Sequence, residues 1–278
     1  SLTADYLGDG SVDEPSTSTT VTLTVNPHIL TITGSGTQVY GSSTPEFFDS
    51  FNGIVSDPSN PNPFTGTLSF TTTTTSSSPM GTYTGAVTAS GLSSTDYAIT
   101  YAAGSMVVTV AMPTLNVTDS SGTYNGSAFN ATATVAGVVA GVDTTPAPSL
   151  ETVTPTLTYY SGTYATVAQL SGLTPLPSVP INVGQYTVLA SFAGSTDYTG
   201  ASTVADFSIT PATLTVNGIT AVNKTYNSTT IAALNAGNAA LSGVFNGDSV
   251  TLNTAAATGT FASKDVGNGI SVTVAGLT

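Results

Sequence analysis

The chain has 278 residues, of which 6% are charged, and a formal net charge of −13 at pH 7. An ordinary soluble domain is about 25% charged, so polarity here rests on Ser and Thr hydroxyls and on Asp and Glu. Lys224 and Lys264 are the only cationic side chains besides the single His28, and so negative a chain repels phosphate backbones and anionic lipid, which argues against nucleic-acid binding and membrane docking.

There is no Cys, so neither a disulfide framework nor thiolate chemistry is available, and each domain must be held by core burial. No apolar run reaches the ~18 residues of a membrane-spanning helix. Ser1 falls inside a strand-like region, so the chain is expected to be a fragment or processed product.

Residues 1–26 read as the closing strands of an incomplete β-domain. Leu2-Thr3-Ala4-Asp5-Tyr6 alternates, Gly8-Asp9-Gly10 turns, and residues 19–25 alternate again. Residues 27–111 form the first complete unit. It holds a Pro/Asn-rich loop at 57–63, a strand from Thr65, a hydroxyl run at 71–78 and a strand opened by Gly81-Thr82-Tyr83. A closing hairpin is expected from residues 96–101 and 106–110.

Residues 112–211 repeat the plan. Val183-Gly184-Gln185-Tyr186 matches Met80-Gly81-Thr82-Tyr83, and Thr196-Asp197-Tyr198 matches Thr95-Asp96-Tyr97. Residues 212–278 open a third unit that lacks its closing strands, with Asp265-Val266-Gly267 before a strand over 270–274. The Ala-rich stretch 230–240 predicts a turn of helix. Pro27, Pro113 and Pro211 mark the joints, each following one strand run and preceding the next. Their spacing is too long for solenoid repeats of roughly 20–50 residues. The expected fold is all-β, with tandem β-sandwich domains in an elongated, beads-on-a-string array.

Each unit carries a tyrosine turn shortly after its joint. Tyr40-Gly41-Ser42 resembles the MBG domain of the YGX type, a mostly-β repeat of bacterial surface proteins. Tyr124-Asn125-Gly126 is similar to a related MBG or bacterial Ig-like repeat. Lys224-Thr225-Tyr226-Asn227-Ser228-Thr229-Thr230 resembles the YDG domain, with Asn227 and Ser228 in place of the Asp and Gly that name it. Leu241-Ser242-Gly243-Val244, Gly247-Asp248, Gly259-Thr260-Phe261 and Asp265-Val266-Gly267 continue that match. The resemblance implies a segment of a bacterial adhesin, stalk or secreted fibrous protein, extracellular or at the cell surface, without enzymatic activity. Physically, a Tyr before a Gly or Asn turn can bury its ring while its hydroxyl satisfies backbone.

Catalytic chemistry has little to draw on. His28 is the only histidine and reads as a joint residue, so no catalytic residue, cofactor or metal is assigned. Asp5, Asp9, Asp13 and Glu14 crowd one stretch but miss the calcium-loop spacing, and read as a solvated acidic hairpin. Lys–Asn or Lys–Asp isopeptide staples are excluded from residues 1–223, which hold no Lys. Asn-x-Ser/Thr triplets at Asn116, Asn125, Asn130, Asn223 and Asn227 are what a Ser/Thr-rich chain contains by chance.

Expected partners are other copies of the chain, neighbouring repeats, or a host or matrix glycan or protein. Residues 1–26 of one subunit are expected to complete residues 212–278 of the next by strand addition, building a filament. The alternative is a carbohydrate- or protein-binding module using loops 57–63 and 175–180.

Overall fold

The computed structural model describes residues 2–7, 10, 11, 15–119, 121–245 and 247–278. The fold is all-β: strands and loops account for the described residues apart from one 3₁₀ turn at Val167–Leu170. The chain divides into two compact units. One contains residues 1–113, 136–146 and 194–200; the other contains 114–135, 147–193 and 201–278.

In the first unit, β1 (Asp5–Tyr6) and β2 (Ser16–Thr17) form a short antiparallel ladder with every residue exposed. Asp5 is there in solvent. Asp9, Asp13, Glu14 and Gly8 of the sequence-predicted acidic turn lie outside the described residues. The body is a six-stranded sheet of β3 (His28–Val39), β4 (Glu46–Asn52), β5 (Thr65–Thr72), β6 (Gly81–Ser93), β7 (Tyr97–Ala102) and β8 (Gly104–Thr109).

β3 organises this sheet. Leu30, Ile32, Gly34, Gly36 and Gln38 point inward with the two-residue period of a strand. The inward glycines make room: a Cβ on Gly34 would stand 2.7 Å from the Phe70 ring, and one on Gly36 would meet Met106 at the same distance. Leu30, Ile32, Ala89 and Tyr97 form the buried core, edged by Phe51, Phe64 and Phe70.

The closing segment differs from expectation. β7 and β8 do not form a hairpin with each other. Both run parallel to β3, β7 against its first half (His28–Thr33 with Tyr97–Ala102) and β8 against its second (Gly36–Val39 with Met106–Thr109). Local alternation could not distinguish these arrangements, because parallel and antiparallel partners show the same two-residue period. Gly104 allows the transition: a Cβ there would strike the Gly34 carbonyl oxygen at 1.8 Å.

The second unit begins with β9 (Thr114–Thr118), β10 (Gly122–Thr123), β11 (Thr132–Ala136) and β12 (Thr156–Ser161). These are followed by β13 (Gly184–Phe192) and β14 (Ala201–Thr210). β12, β13 and β14 make an antiparallel ladder, β10 adds in parallel to the end of β14, and β9 pairs β11. This repeats the pairing plan of β3 to β8. Phe207 centres its core, between Tyr159 edge-on at 6.1 Å and Tyr186 tilted at 5.5 Å.

Short strands complete the second unit: β15 (Thr215–Asn217), β16 (Thr220–Ala221), β17 (Ile231–Ala232), β18 (Leu234–Asn235), β19 (Ala240–Ser242), β20 (Thr258–Phe261) and β21 (Val272–Ala275). Residues 230–240 are therefore strands and a turn, not helix. Ile231 and Ala232 pair with Thr260 and Gly259, and Leu234 and Asn235 with Ala221 and Thr220. Tertiary pairing overrides the helix propensity of the alanines. Ala232 is the one buried hydrophobic residue of this segment among the described residues.

Candidate functional site: tyrosine turns and joints

Tyr40 and Gly41 end β3 at a tight turn. The Tyr40 amide donates to the Thr109 carbonyl at 2.9 Å, tying the turn to the end of the closing strand. Gly41 has φ +85°, in the left-handed region that only glycine enters cheaply, and a Cβ there would lie 2.2 Å from Val138. Buried Gln38 braces the turn. Its amide donates to the Ser42 and Thr75 carbonyls at 2.7 and 3.0 Å, and its oxygen accepts the Thr74 hydroxyl at 2.8 Å. Part of the hydroxyl run 71–78 is thus internal scaffolding.

Segments 136–146 and 194–200 cover this turn within the same compact unit. The Tyr198 ring meets Tyr40 edge-on at 5.4 Å. Its hydroxyl donates to the Asp143 carboxylate and accepts the Val138 amide at 3.0 Å, while the other Asp143 oxygen takes the Val139 amide at 2.8 Å. Burial first, and then the Asp143 hydrogen bond, pushes the Tyr198 phenol far above its ordinary value. Asp197 is buried beside it and accepts the Met80 amide at the turn opening β6.

Two joints each use an Asp-Tyr pair, Asp197-Tyr198 at one and Asp96-Tyr97 at the other. The Ala111 amide, just before Pro113, donates to the Asp197 carbonyl at 2.9 Å, and the Thr199 amide returns a bond to Ala111 at 2.8 Å. After Pro27, the His28 amide donates to the Asp96 carbonyl at 2.9 Å. The His28 ring stands edge-on to Tyr97 at 6.3 Å, and the Tyr97 hydroxyl bonds both the amide and the carbonyl of Val55, at 3.0 and 3.1 Å. Sequence matching aligned these two motifs but gave no sign of what they grip, since their partners lie elsewhere in the chain.

The Tyr124-Asn125-Gly126 turn repeats the device in the second unit. The Tyr124 amide donates to Thr210, just before Pro211, at 2.8 Å. Its hydroxyl donates to Asp248 at 2.6 Å, and Phe245 stands edge-on to its ring at 5.6 Å. The Asp248 hydrogen bond, followed by desolvation, raises the Tyr124 phenol above its ordinary value.

Tyr226 heads the third turn and is 55% exposed, against 7% for Tyr40. Ser228, which occupies the position of the motif's Gly, is left-handed at φ +60°. The Lys224 ammonium holds this loop. It donates to Asn227 Oδ1 (2.9 Å), the Thr229 carbonyl (2.6 Å) and hydroxyl (3.1 Å) and the Ile231 carbonyl (3.0 Å), and sits 5.4 Å from the Phe261 ring centre. Its neighbouring amide, Asn227, is three residues along, so a covalent bond there would staple only a turn. Lys264 pairs at 2.8 Å with its neighbour Asp265 in solvent.

The two candidate binding loops differ. Residues 175–180 are tied inward: the Leu176 amide donates to Tyr159 at 2.7 Å, and the Pro180 carbonyl accepts Phe129 at 3.0 Å. The 57–63 loop lines an open groove of about 830 Å³ with His28, Asp96 and Tyr97. The Ser59 hydroxyl and amide hold the Asp57 carboxyl below the usual range. Among the described residues no group of three or more His, Cys, Asp and Glu could hold a metal, and no helix is long and apolar enough to cross a membrane.

Comparison with protein families matches residues 30–107 to the MBG domain (YGX type) and residues 210–278 to the YDG domain. The chain carries an MBG domain and a YDG domain. The MBG match runs from β3 into β8 and contains the Tyr40 turn; the YDG match begins at Thr210 and contains the Tyr226 turn. No curated protein and no solved structure matches the chain.

Proposed function

We propose that the chain is a load-bearing structural segment of an extracellular bacterial repeat protein, a stalk or filament subunit built of tandem β-sandwich domains and without catalytic activity. MBG and YDG domains fit an adhesin-like surface repeat protein. The observation that carries the proposal is the parallel pairing of entering and leaving strands. The MBG domain is entered through β3 and left through β8, and β3 pairs in parallel with β7 and β8 along nearly its whole length. Tension applied at Pro27 and Pro113 pulls parallel neighbours from opposite ends. The ladder hydrogen bonds are then sheared together instead of being opened one at a time. β10 and β14 repeat this parallel closure on a smaller scale.

A filament forms, in this reading, by strand addition between the 1–26 hairpin of one subunit and the 212–278 edges of the next. The exposed β1–β2 ladder and the short sheets of the YDG domain supply unpaired edges for it. Small-angle X-ray scattering tests the array. A compact chain of this length has a radius of gyration of about 19 Å, whereas three ~40 Å domains in line give roughly 35 Å. A value near 19 Å contradicts the stalk reading.

A further inference from the structure

The Pro113 end of the MBG domain is closed by chain that lies beyond it in sequence. Residues 136–146 begin at the end of β11 and residues 194–200 join β13 to β14, yet both fall in the first compact unit with the MBG domain. They are also tied to each other. The Tyr198 hydroxyl bonds the Asp143 carboxylate and the Val138 amide, and the Gly137 amide donates to the Asp143 carbonyl at 2.8 Å. Glycine at 137 keeps room for this tie: a Cβ there would stand 2.2 Å from the Tyr198 hydroxyl oxygen.

The tied pair reaches the ends of three MBG strands. Val138 lies on Gly41 and Tyr198 on Tyr40, just past β3. The Asp197 carboxylate accepts the Met80 amide, just before β6, at 2.5 Å. Past β8, Ala111 is bonded through both of its backbone groups. Its amide donates to the Asp197 carbonyl at 2.9 Å, and its carbonyl accepts the Thr199 amide at 2.8 Å. Ala111 and Tyr198 thereby pair in parallel. Tyr40, Ala111, Asp197 and Tyr198 are all buried, so breaking these bonds leaves buried polar groups without partners.

We propose that residues 136–146 and 194–200 form a strap by which the following repeat locks the MBG domain, so that β3, β6 and β8 separate at this end only after the strap lets go. Local opening tracks the buried contacts that must be broken. Here those contacts are supplied from outside the matched family segment, residues 30–107. The coupling is reciprocal, as any coupling free energy is: a closed MBG domain equally holds the strap in place. Under the load-bearing reading, on which this consequence alone rests, tension entering at Pro113 meets the two Ala111 bonds before it reaches Thr109 at the end of β8.

Amide hydrogen exchange on the full chain tests the strap. Tyr198→Phe loosens the tie but keeps a ring against Tyr40, and Asp197→Ala removes the bond to Met80. Each is expected to speed exchange about tenfold or more at residues 37–41, 80–83 and 104–111, with residues 186–190 of β13 unchanged. Val138→Ala only thins the packing on Gly41, so it carries the test if Asp197→Ala does not fold; it is expected to speed exchange at residues 39–42 by a smaller factor. Wild-type rates at those MBG residues overturn the proposal, even if exchange rises within 136–146 and 194–200, since the domain then stands without the strap. An equal rise in every strand of both units overturns it as well, since the strap is then no more than part of one global unfolding. A compact radius of gyration beside the expected exchange pattern removes the stalk and leaves the strap. An extended chain whose MBG strands ignore these substitutions does the reverse.

Discussion

The Tyr198 hydroxyl donates to Asp143, 55 residues away in sequence, and accepts the Val138 amide on its other side. Tyr198 is 1% exposed, so removing that one oxygen leaves a buried amide and a carboxylate short of a partner. Tyr198→Phe is expected to cost about 1–3 kcal/mol, read as a lower midpoint in denaturant with unchanged slope.

The same contact sets an alkaline limit. The folded Tyr198 phenol is raised above the unfolded value, so its contribution is complete below about pH 10 and drains away as pH climbs through the folded value. Tyr124, raised in the same direction by Asp248, adds to it. Unfolding curves collected above pH 10 are expected to show falling stability, with a shallower fall in Tyr198→Phe.

Gly41→Ala meets two obstacles, a left-handed φ and Val138 at 2.2 Å. Left-handed backbone alone costs an L-residue about 1–2 kcal/mol, and the clash adds to that. Gly10→Ala, left-handed but in open space, is the matched control and is expected to show the backbone cost only.

Ser228→Gly works the other way. Ser228 is left-handed, and glycine relieves it at some entropic cost, for an expected gain of about 0.5–1 kcal/mol. An unchanged or lower thermal midpoint contradicts this.

The turn that resembles the YDG motif is thus readable as backbone chemistry: Ser228, which stands in place of the motif's Gly, has a left-handed φ that glycine adopts without strain. Much else was legible. Thr65 starts β5 as the pattern predicts, and Gly81 and Gly184 do open β6 and β13. What local pattern could not supply were partners distant in sequence. Thr95-Asp96-Tyr97 and Thr196-Asp197-Tyr198 look alike as strings, yet only the fold shows that one covers Tyr40 while the other lines an open groove. The parallel closure by β7 and β8 and the inward Gln38 were invisible for the same reason.

The YDG domain is expected to open before the MBG domain. Among the described residues its one buried apolar side chain is Ala232, against the fully buried Leu30, Ile32, Val87, Met106 and Val108 in the MBG domain. Amide hydrogen exchange reads this directly, since local opening tracks buried apolar contact. Protection over 258–275 equal to that over 28–39 contradicts it.

Single-molecule pulling on the full chain from its two ends tests the load path most directly. The parallel closure of β3 by β7 and β8 predicts that residues 27–111 yield last and in one step. That step releases roughly 300 Å of chain at about 3.3–3.6 Å per residue. Gradual yielding of those residues, at forces no higher than the YDG domain bears, contradicts a load-bearing role.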